Sequence, residues 1–233
     1  MIGGQKVLGI IPARGGSKTI PRKNLKLLAG KPLIAWTIEE AHKSQYIDRL
    51  IFSSEDAEII RVAKEWGCEV PFVRPAHLAE DETPGIEPVI HAINNIREKY
   101  DYVVLLQPTS PLRTVNDIDD CIRCCIQADA PVCVSVSEVD KSPYWMYTLN
   151  EHQKIFPLIQ TEHSIERRQD LPPVYALNGA VYVAQTDYIL KAKSFITEET
   201  LAYIMPADRS RDIDNEMDFI YCELIKSQEV QKR

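Results

Sequence analysis

The chain has no apolar run near the roughly 18 residues that a membrane-crossing helix needs. Its first apolar stretch, Val7 to Ile11, ends at once in Pro12, Ala13 and Arg14, too short for a secretion signal. Membrane insertion and export are therefore not expected, and a cytoplasmic protein is. The named phosphate-binding fingerprints are missing too: there is no G-x-x-x-x-G-K-[ST] and no G-x-G-x-x-G. Cys121, Cys124 and Cys125 fall together, but no second pair at suitable spacing completes a four-ligand zinc site. On a helix they read as small core residues, and the six cysteines are expected as reduced thiols. His77 and His91 occur without any Ser–His–Asp order. His91 lies beside Val89, Ile90 and Ile93 and reads as a partly buried, hydrogen-bonded histidine. Acid is absent from the first 38 residues, which hold seven of the 27 Lys and Arg. All 34 acids lie from Glu39 onward. A basic amino-terminal segment on an acidic body suits one small polyanion bound at one place. A nucleic-acid track would need a basic face over many more residues, so no nucleic-acid partner is expected.

What the chain does have is ordinary globular composition, 45% hydrophobic and 26% charged over 233 residues. That is enough for one sizeable core, and a single domain over 1–233 is expected. Apolar β-branched runs predict strands at Val7–Ile11, Asp48–Ser53, Glu69–Val73, Tyr102–Leu106 and Val132–Ser137. Helical spacing predicts helices between them, near 32–44, 55–66, 85–99 and 116–127. Strands at Ala180–Ala184 and Thr200–Met205 and a helix near 215–226 complete the pattern. Alternation of this kind predicts an α/β fold, a doubly wound, mostly parallel sheet. In that class ligands sit beyond the carboxyl ends of the strands, so the loops at 13–24, 53–55 and 107–114 are expected to share one site.

Residues 138–176 break the rhythm with Pro143, Pro157, Pro172 and Pro173 and with Tyr144, Trp145, Tyr147 and Phe156. They read as an inserted arm, either a surface for a homodimer or a packed lid over the site.

Two stretches carry the chemistry. After Val7–Ile11 comes a loop holding Gly15, Gly16, Ser17 and the cations Arg14, Lys18, Arg22 and Lys23. Glycines let backbone N–H groups approach phosphate oxygens, and the cations neutralise phosphate charge. An ordinary basic surface loop has the same composition. Near the other end, Asp212 and Asp214 flank Ile213, and in extended chain their carboxylates point the same way. Together they can share a hard cation such as Mg²⁺; alternatively one of them caps the helix that follows.

Six segments in order then resemble the acylneuraminate cytidylyltransferases, also called CMP-sialic acid synthetases. These are Ile11–Lys18, Pro21-x-Lys23-Asn24-Leu25, Arg74-Pro75-Ala76-x-Leu78-Ala79, Leu106–Arg113, Asn178-Gly179-Ala180 and Asp212-Ile213-Asp214. The resemblance runs from about residue 6 to 225 and includes a branch specific for legionaminic acid. It implies that the partners are CTP and a nine-carbon sugar acid, which react to give the CMP-sugar and pyrophosphate. Arg14, Lys18, Asp212 and Asp214 are then the expected catalytic residues, and Asp212 and Asp214 the ligands of a Mg²⁺ cofactor. The nucleotide is expected to meet Ala13, Arg14, Gly15, Ser17, Lys23, Asn24, Arg74 and Thr83. Gln107, Arg168 and Asn178 are expected around the sugar acid. No side chain stands out as base for the anomeric hydroxyl; Asp212, a metal-bound water and a substrate phosphate oxygen all remain open.

Two departures bear on specificity. Sialic-acid members have small hydroxylated residues where this chain has Pro84 and Gly85, leaving Thr83 or backbone groups to contact the nucleotide. They carry an arginine where this chain has Ala176. A missing cation there points to a related nonulosonic acid, such as legionaminic acid, rather than N-acetylneuraminic acid. Two further readings remain: a cytidylyltransferase for another sugar acid such as 3-deoxy-manno-octulosonate, and a nucleotide-binding module without catalysis.

Overall fold

The computed structural model describes residues 2–160 and 167–231, so residues 161–166 of the expected arm lie outside the described residues. The strands are β1 (Val7–Pro12), β2 (Leu27–Leu28), β3 (Lys31–Pro32), β4 (Arg49–Ser53), β5 (Tyr102–Leu106), β6 (Val132–Glu138), β7 (Tyr147–Leu149), β8 (Ile155–Pro157), β9 (Tyr175–Gln185) and β10 (Thr200–Ile204). Among them run α1 (Leu33–His42), α2 (Ala57–Glu65), α3 (Glu87–Asn94), α4 (Val115–Gln127), α5 (Thr186–Ala192) and α6 (Glu216–Gln231). The main sheet has the order β10-β6-β9-β5-β1-β4. Its pairs are parallel except where β9 runs antiparallel between β5 and β6.

Alternation along the strands sorts side chains onto two faces. Val7, Ile11, Phe52, Val104 and Leu106 meet α1, α2 and α4 in one core. Leu8, Ile10, Ile51, Val103 and Leu105 meet α3 and α5 in a second. The sheet is covered on both sides, as its continuous apolar strands require. A smaller cluster, including Leu28, Trp36, Ile213 and Phe219, seats α6 against the β2–β3 hairpin and α1. Helix starts are fixed locally. The Asp56 carboxylate accepts from the backbone N–H of Glu58 and Ile59, and Thr114 with Asp117 forms a capping box on α4.

Two expectations need correction, and one helix was not expected. Glu69–Val73 is not a strand: only Glu69 bridges to Ile51, because Pro71 has no N–H to continue the ladder. Helix α3 stops at Asn94 rather than near Lys99; the Asn95 side chain donates to the carbonyl of His91 at 2.8 Å and turns the chain out. Helix α5, unread in the sequence, is short and ends at Lys193 with φ +50°. The described part of the expected arm carries a β7–β8 hairpin with Leu149 paired to Ile155.

Candidate active site

Strands β1, β4 and β5 are mutually parallel, so their carboxyl ends share one edge. At that edge lies a cavity of about 320 Å³, walled by Ala13, Arg14, Ser17, Lys23, Asn24, Arg74, Thr83 and Gln107. All eight were expected on sequence grounds. Lys18 lies just outside, in an adjoining shallow basin of about 670 Å³ that it shares with Arg14 and Ser17.

The loop after β1 is held from beneath. The Gly15 N–H donates to Glu55 Oε1 at 2.7 Å, so this amide serves the loop's own fold rather than facing the cavity. Glu55 Oε2 accepts from Arg74 at 2.6 Å, and the same Arg74 nitrogen donates to the Ala13 carbonyl at 2.8 Å. Arg74 is almost fully buried, and its guanidinium fixes the loop while its side chain walls the cavity. Gly15 is glycine for a steric reason: a Cβ there would sit inside contact distance of the Asp56 carboxylate. Arg22, in the left-handed region at φ +53°, forks onto Asp56 and Glu58. That guanidinium holds the Asp56 carboxyl below the ordinary carboxylate range. Arg22 thus anchors the loop to the start of α2. Asn24 donates to the Arg14 carbonyl at 2.9 Å, and its own carbonyl oxygen finds no partner among the described residues.

The remaining cations differ in partner. Arg14 and Lys18 both pair with Asp81, at 2.9 and 2.7 Å. Lys23 turns the other way, and its ammonium donates to the carbonyl of Ile213 at 2.6 Å across 190 positions of sequence. The Ile213 N–H donates in turn to the Thr109 carbonyl at 2.9 Å. These bonds bring the basic loop, the 107–114 loop and the Asp212–Asp214 segment together.

Asp212 is partly buried, and burial pushes its carboxyl up; the nearby Asp214 adds to that effect, while the Thr109 hydroxyl and Lys23 oppose it. Its Oδ1 has no hydrogen-bond partner among the described residues. Asp214 is exposed, and the capping of α6 falls to its neighbour: Asn215 Oδ1 accepts from the N–H groups of Met217 and Asp218. Asp214 is therefore free of the capping duty that its position suggested. A lone buried carboxylate oxygen beside a second, exposed carboxylate fits a hard dication that keeps water and substrate phosphates as its other ligands. No cluster of three or more metal-ligating side chains occurs among the described residues, so any such ion would depend on the substrate to complete its shell.

Gly179 faces this corner. At φ +71°, its notional Cβ would lie 3.7 Å from both Asp212 Oδ2 and Gln107 Oε1. Asn178 is buried beside it and committed internally. Its oxygen accepts from Ser135 Oγ at 2.6 Å and from the Ala180 N–H at 3.1 Å, and its amide donates to Ser210 Oγ at 3.0 Å. Asn178 shapes the corner and does not reach the cavity. Arg168 lies elsewhere, exposed in a short turn at the base of the arm, beside Glu138 and Trp145. The structure does not bring it to Gln107.

Sequence reading placed Glu55 and Arg113 in loops expected at the site without giving them a role, and it missed Asp81. Arg113 is fully buried and joins three elements, donating to the carbonyls of Gln107 and Ala180 and to Thr37 Oγ1. Burial drags its guanidinium down to about 10. Its place at the end of the Leu106–Arg113 motif was the available signal. The pairing of Asp81 left no trace in spacing. His91 is partly buried as expected, yet its Nδ1 has no partner among the described residues, and its ring instead meets Phe72 edge-on at 5.0 Å. All six cysteines are free.

A cationic loop lining a cavity at the carboxyl edge of an α/β sheet, with a carboxylate pair tied beside it through Lys23 and Thr109, is an arrangement suited to binding a nucleotide. The comparisons with known proteins agree. A cytidylyltransferase family model matches residues 8–228. The chain is 33% identical over 223 residues to pseudaminic acid cytidylyltransferase of Campylobacter jejuni, covering 94% of this chain and 96% of that one. Over 224 residues it is 35% identical to CMP-N,N'-diacetyllegionaminic acid synthase of Legionella pneumophila, covering 94% and 95%. With N-acylneuraminate cytidylyltransferase of Streptococcus agalactiae it shares 37% over 218 residues, 93% of this chain and 52% of the relative. Among solved structures, CMP:2-keto-3-deoxy-manno-octonic acid synthetase complexed with CTP has a TM-score of 0.74 at 15% identity, covering 96% and 99%; that likeness shows the fold. The chain belongs to the cytidylyltransferase family.

Proposed function

We propose that this cytidylyltransferase couples CTP to a nonulosonic acid of the sialic type, releasing pyrophosphate and forming the CMP-sugar, with Mg²⁺ as cofactor. The bond from Lys23 to the Ile213 carbonyl, 2.6 Å, carries the reading, since it ties the segment bearing the carboxylate pair to a basic loop that lines the cavity. Arg14, Lys18 and Ser17 would hold the β- and γ-phosphates and offset the charge that grows on departing pyrophosphate. Asn24, Thr83 and the cavity wall would place the nucleoside, with the Thr83 hydroxyl already donating to the His77 carbonyl at 2.8 Å and so presenting an acceptor. Gln107 and the Gly179 turn would seat the acceptor acid so that its anomeric hydroxyl lies in line with the α-phosphorus. Asp212 and Asp214 would hold Mg²⁺, which supplies charge neutralisation on the phosphate oxygens.

The acceptor is best read as legionaminic acid or a close relative. Ala176 is exposed and places no cation beside Gly179, and the Legionella relative is named for that acid. Pyrophosphate release with CTP and a panel of legionaminic, pseudaminic, N-acetylneuraminic and 3-deoxy-manno-octulosonic acids tests this. A clear preference for N-acetylneuraminic acid would defeat the acceptor assignment; release with none of them would leave a nucleotide-binding module. Asp214→Ala should lower turnover by at least about 100-fold while leaving the circular dichroism spectrum unchanged. Near-normal turnover would remove the metal role.

The arm supports a homodimer of a cytoplasmic enzyme. Met146, Tyr147, Leu149, Ile155, Phe156 and Leu158 are all exposed on it, more apolar surface than one short hairpin leaves uncovered. No helix among the described residues is long and apolar enough to cross a membrane.

A further inference from the structure

Asp81 is a carboxylate standing where phosphate is expected. It pairs with Lys18 at 2.7 Å through one oxygen and with Arg14 at 2.9 Å through the other. Arg14 also donates to the Ala79 carbonyl at 3.4 Å. The 79–82 segment is thereby fastened to the 14–18 loop, and the bridge borders both the cavity and the outer basin. Two oxygens on two cations imitate a phosphate group between the same side chains. Lys18 holds the Asp81 carboxyl below the ordinary carboxylate range, with Arg14 adding to the effect, so Asp81 is anionic at neutral pH.

We infer that Asp81 is an internal stand-in for the β- and γ-phosphates, displaced by the triphosphate and returning as pyrophosphate leaves, so that it weakens the hold on pyrophosphate and speeds its release. The inference rests on the reading of Arg14 and Lys18 as the triphosphate holders. Its physical basis is a difference in charge. All of these groups are partly exposed, and exposed ion pairs are weak. A ligand with several negative charges on its terminal phosphates outcompetes a single carboxylate. A CMP-type product, with its lone phosphate further in, gains nothing by evicting Asp81. The cost of eviction therefore falls on nucleoside triphosphate and pyrophosphate alone, and loosens pyrophosphate after the reaction.

Titration calorimetry of the wild type and Asp81→Asn with CTP, inorganic pyrophosphate and CMP, in Mg²⁺, tests it. Asp81→Asn should bind CTP and pyrophosphate about three- to tenfold more tightly and CMP unchanged. In a Lys18→Ala background most of that gain should vanish. Unchanged or weaker pyrophosphate binding by folded Asp81→Asn overturns the inference, as does an equal gain for CMP or a gain that survives Lys18→Ala intact. If Arg14→Ala weakens CTP binding while Asp81→Asn gains nothing, the stand-in role alone is lost. If CTP binding ignores both Arg14→Ala and Lys18→Ala, the site reading is lost with it.

Discussion

Single residues here are chosen by neighbours far away in sequence. Gly15 avoids Asp56, Gly179 adopts a left-handed turn, and Arg74 spends its guanidinium on a backbone carbonyl and Glu55. A side chain at Gly179 would cost about 1–2 kcal/mol, because L-residues resist positive φ. Gly179→Ala should therefore lower the urea midpoint. Its new methyl, 3.7 Å from Asp212 and Gln107, would also raise KM for the acceptor acid more than for CTP. An unchanged acceptor KM would place this turn outside the acceptor pocket.

At the scale of elements, the segment that delivers Asp212 is tied down by α4. Arg209 donates to both oxygens of buried Asp117, at 2.8 and 2.9 Å, just before the chain reaches the carboxylate pair. Burial opposes the charge on Asp117, but Arg209 and Thr114 outweigh it and hold the carboxyl below its ordinary range. A depressed folded-state pKa stabilises above the ordinary carboxylate pKa and loses that stability as pH falls below it. Asp117→Asn should thus cost on the order of 3 kcal/mol at pH 7 and flatten the acid limb of the urea-midpoint profile. An acid limb as steep as that of the wild type would rule the pair out as its source. The apolar strands and the major helices were legible in the sequence because their periodicity is local. The strand read at Glu69–Val73 failed because hydrophobicity was weighed above Pro71, and α5 escaped because seven residues hold too few turns to show a period. Ala13, Arg14 and Gln107 could be placed at the site from strand ends alone. Glu55 could be placed there by the same argument, but its role under the loop, like the presence of Asp81, could not be read, since both depend on separate loops meeting.

At the scale of the whole molecule, the arm is one of the parts whose apolar side chains a single copy leaves uncovered. If a second copy covers it, Leu149→Lys with Ile155→Lys, on paired positions of the hairpin, should turn a dimer into a monomer in sedimentation velocity without unfolding the sheet. A wild type that sediments as a monomer at micromolar concentration would end the homodimer reading. Strand β9 runs against its neighbours, so it descends from the ligand edge instead of climbing to it. The chain thus passes through the arm, reaches the corner at Gly179 beside Asp212 and Gln107, and only then drops into the core. Changes in arm length or in the first residues of β9 can reshape what is accepted without disturbing β1, β4 and β5. If the acceptor acid does bind at that corner, donor and acceptor would be held by different strands of one sheet, and the second contact could change while the first stays as it is.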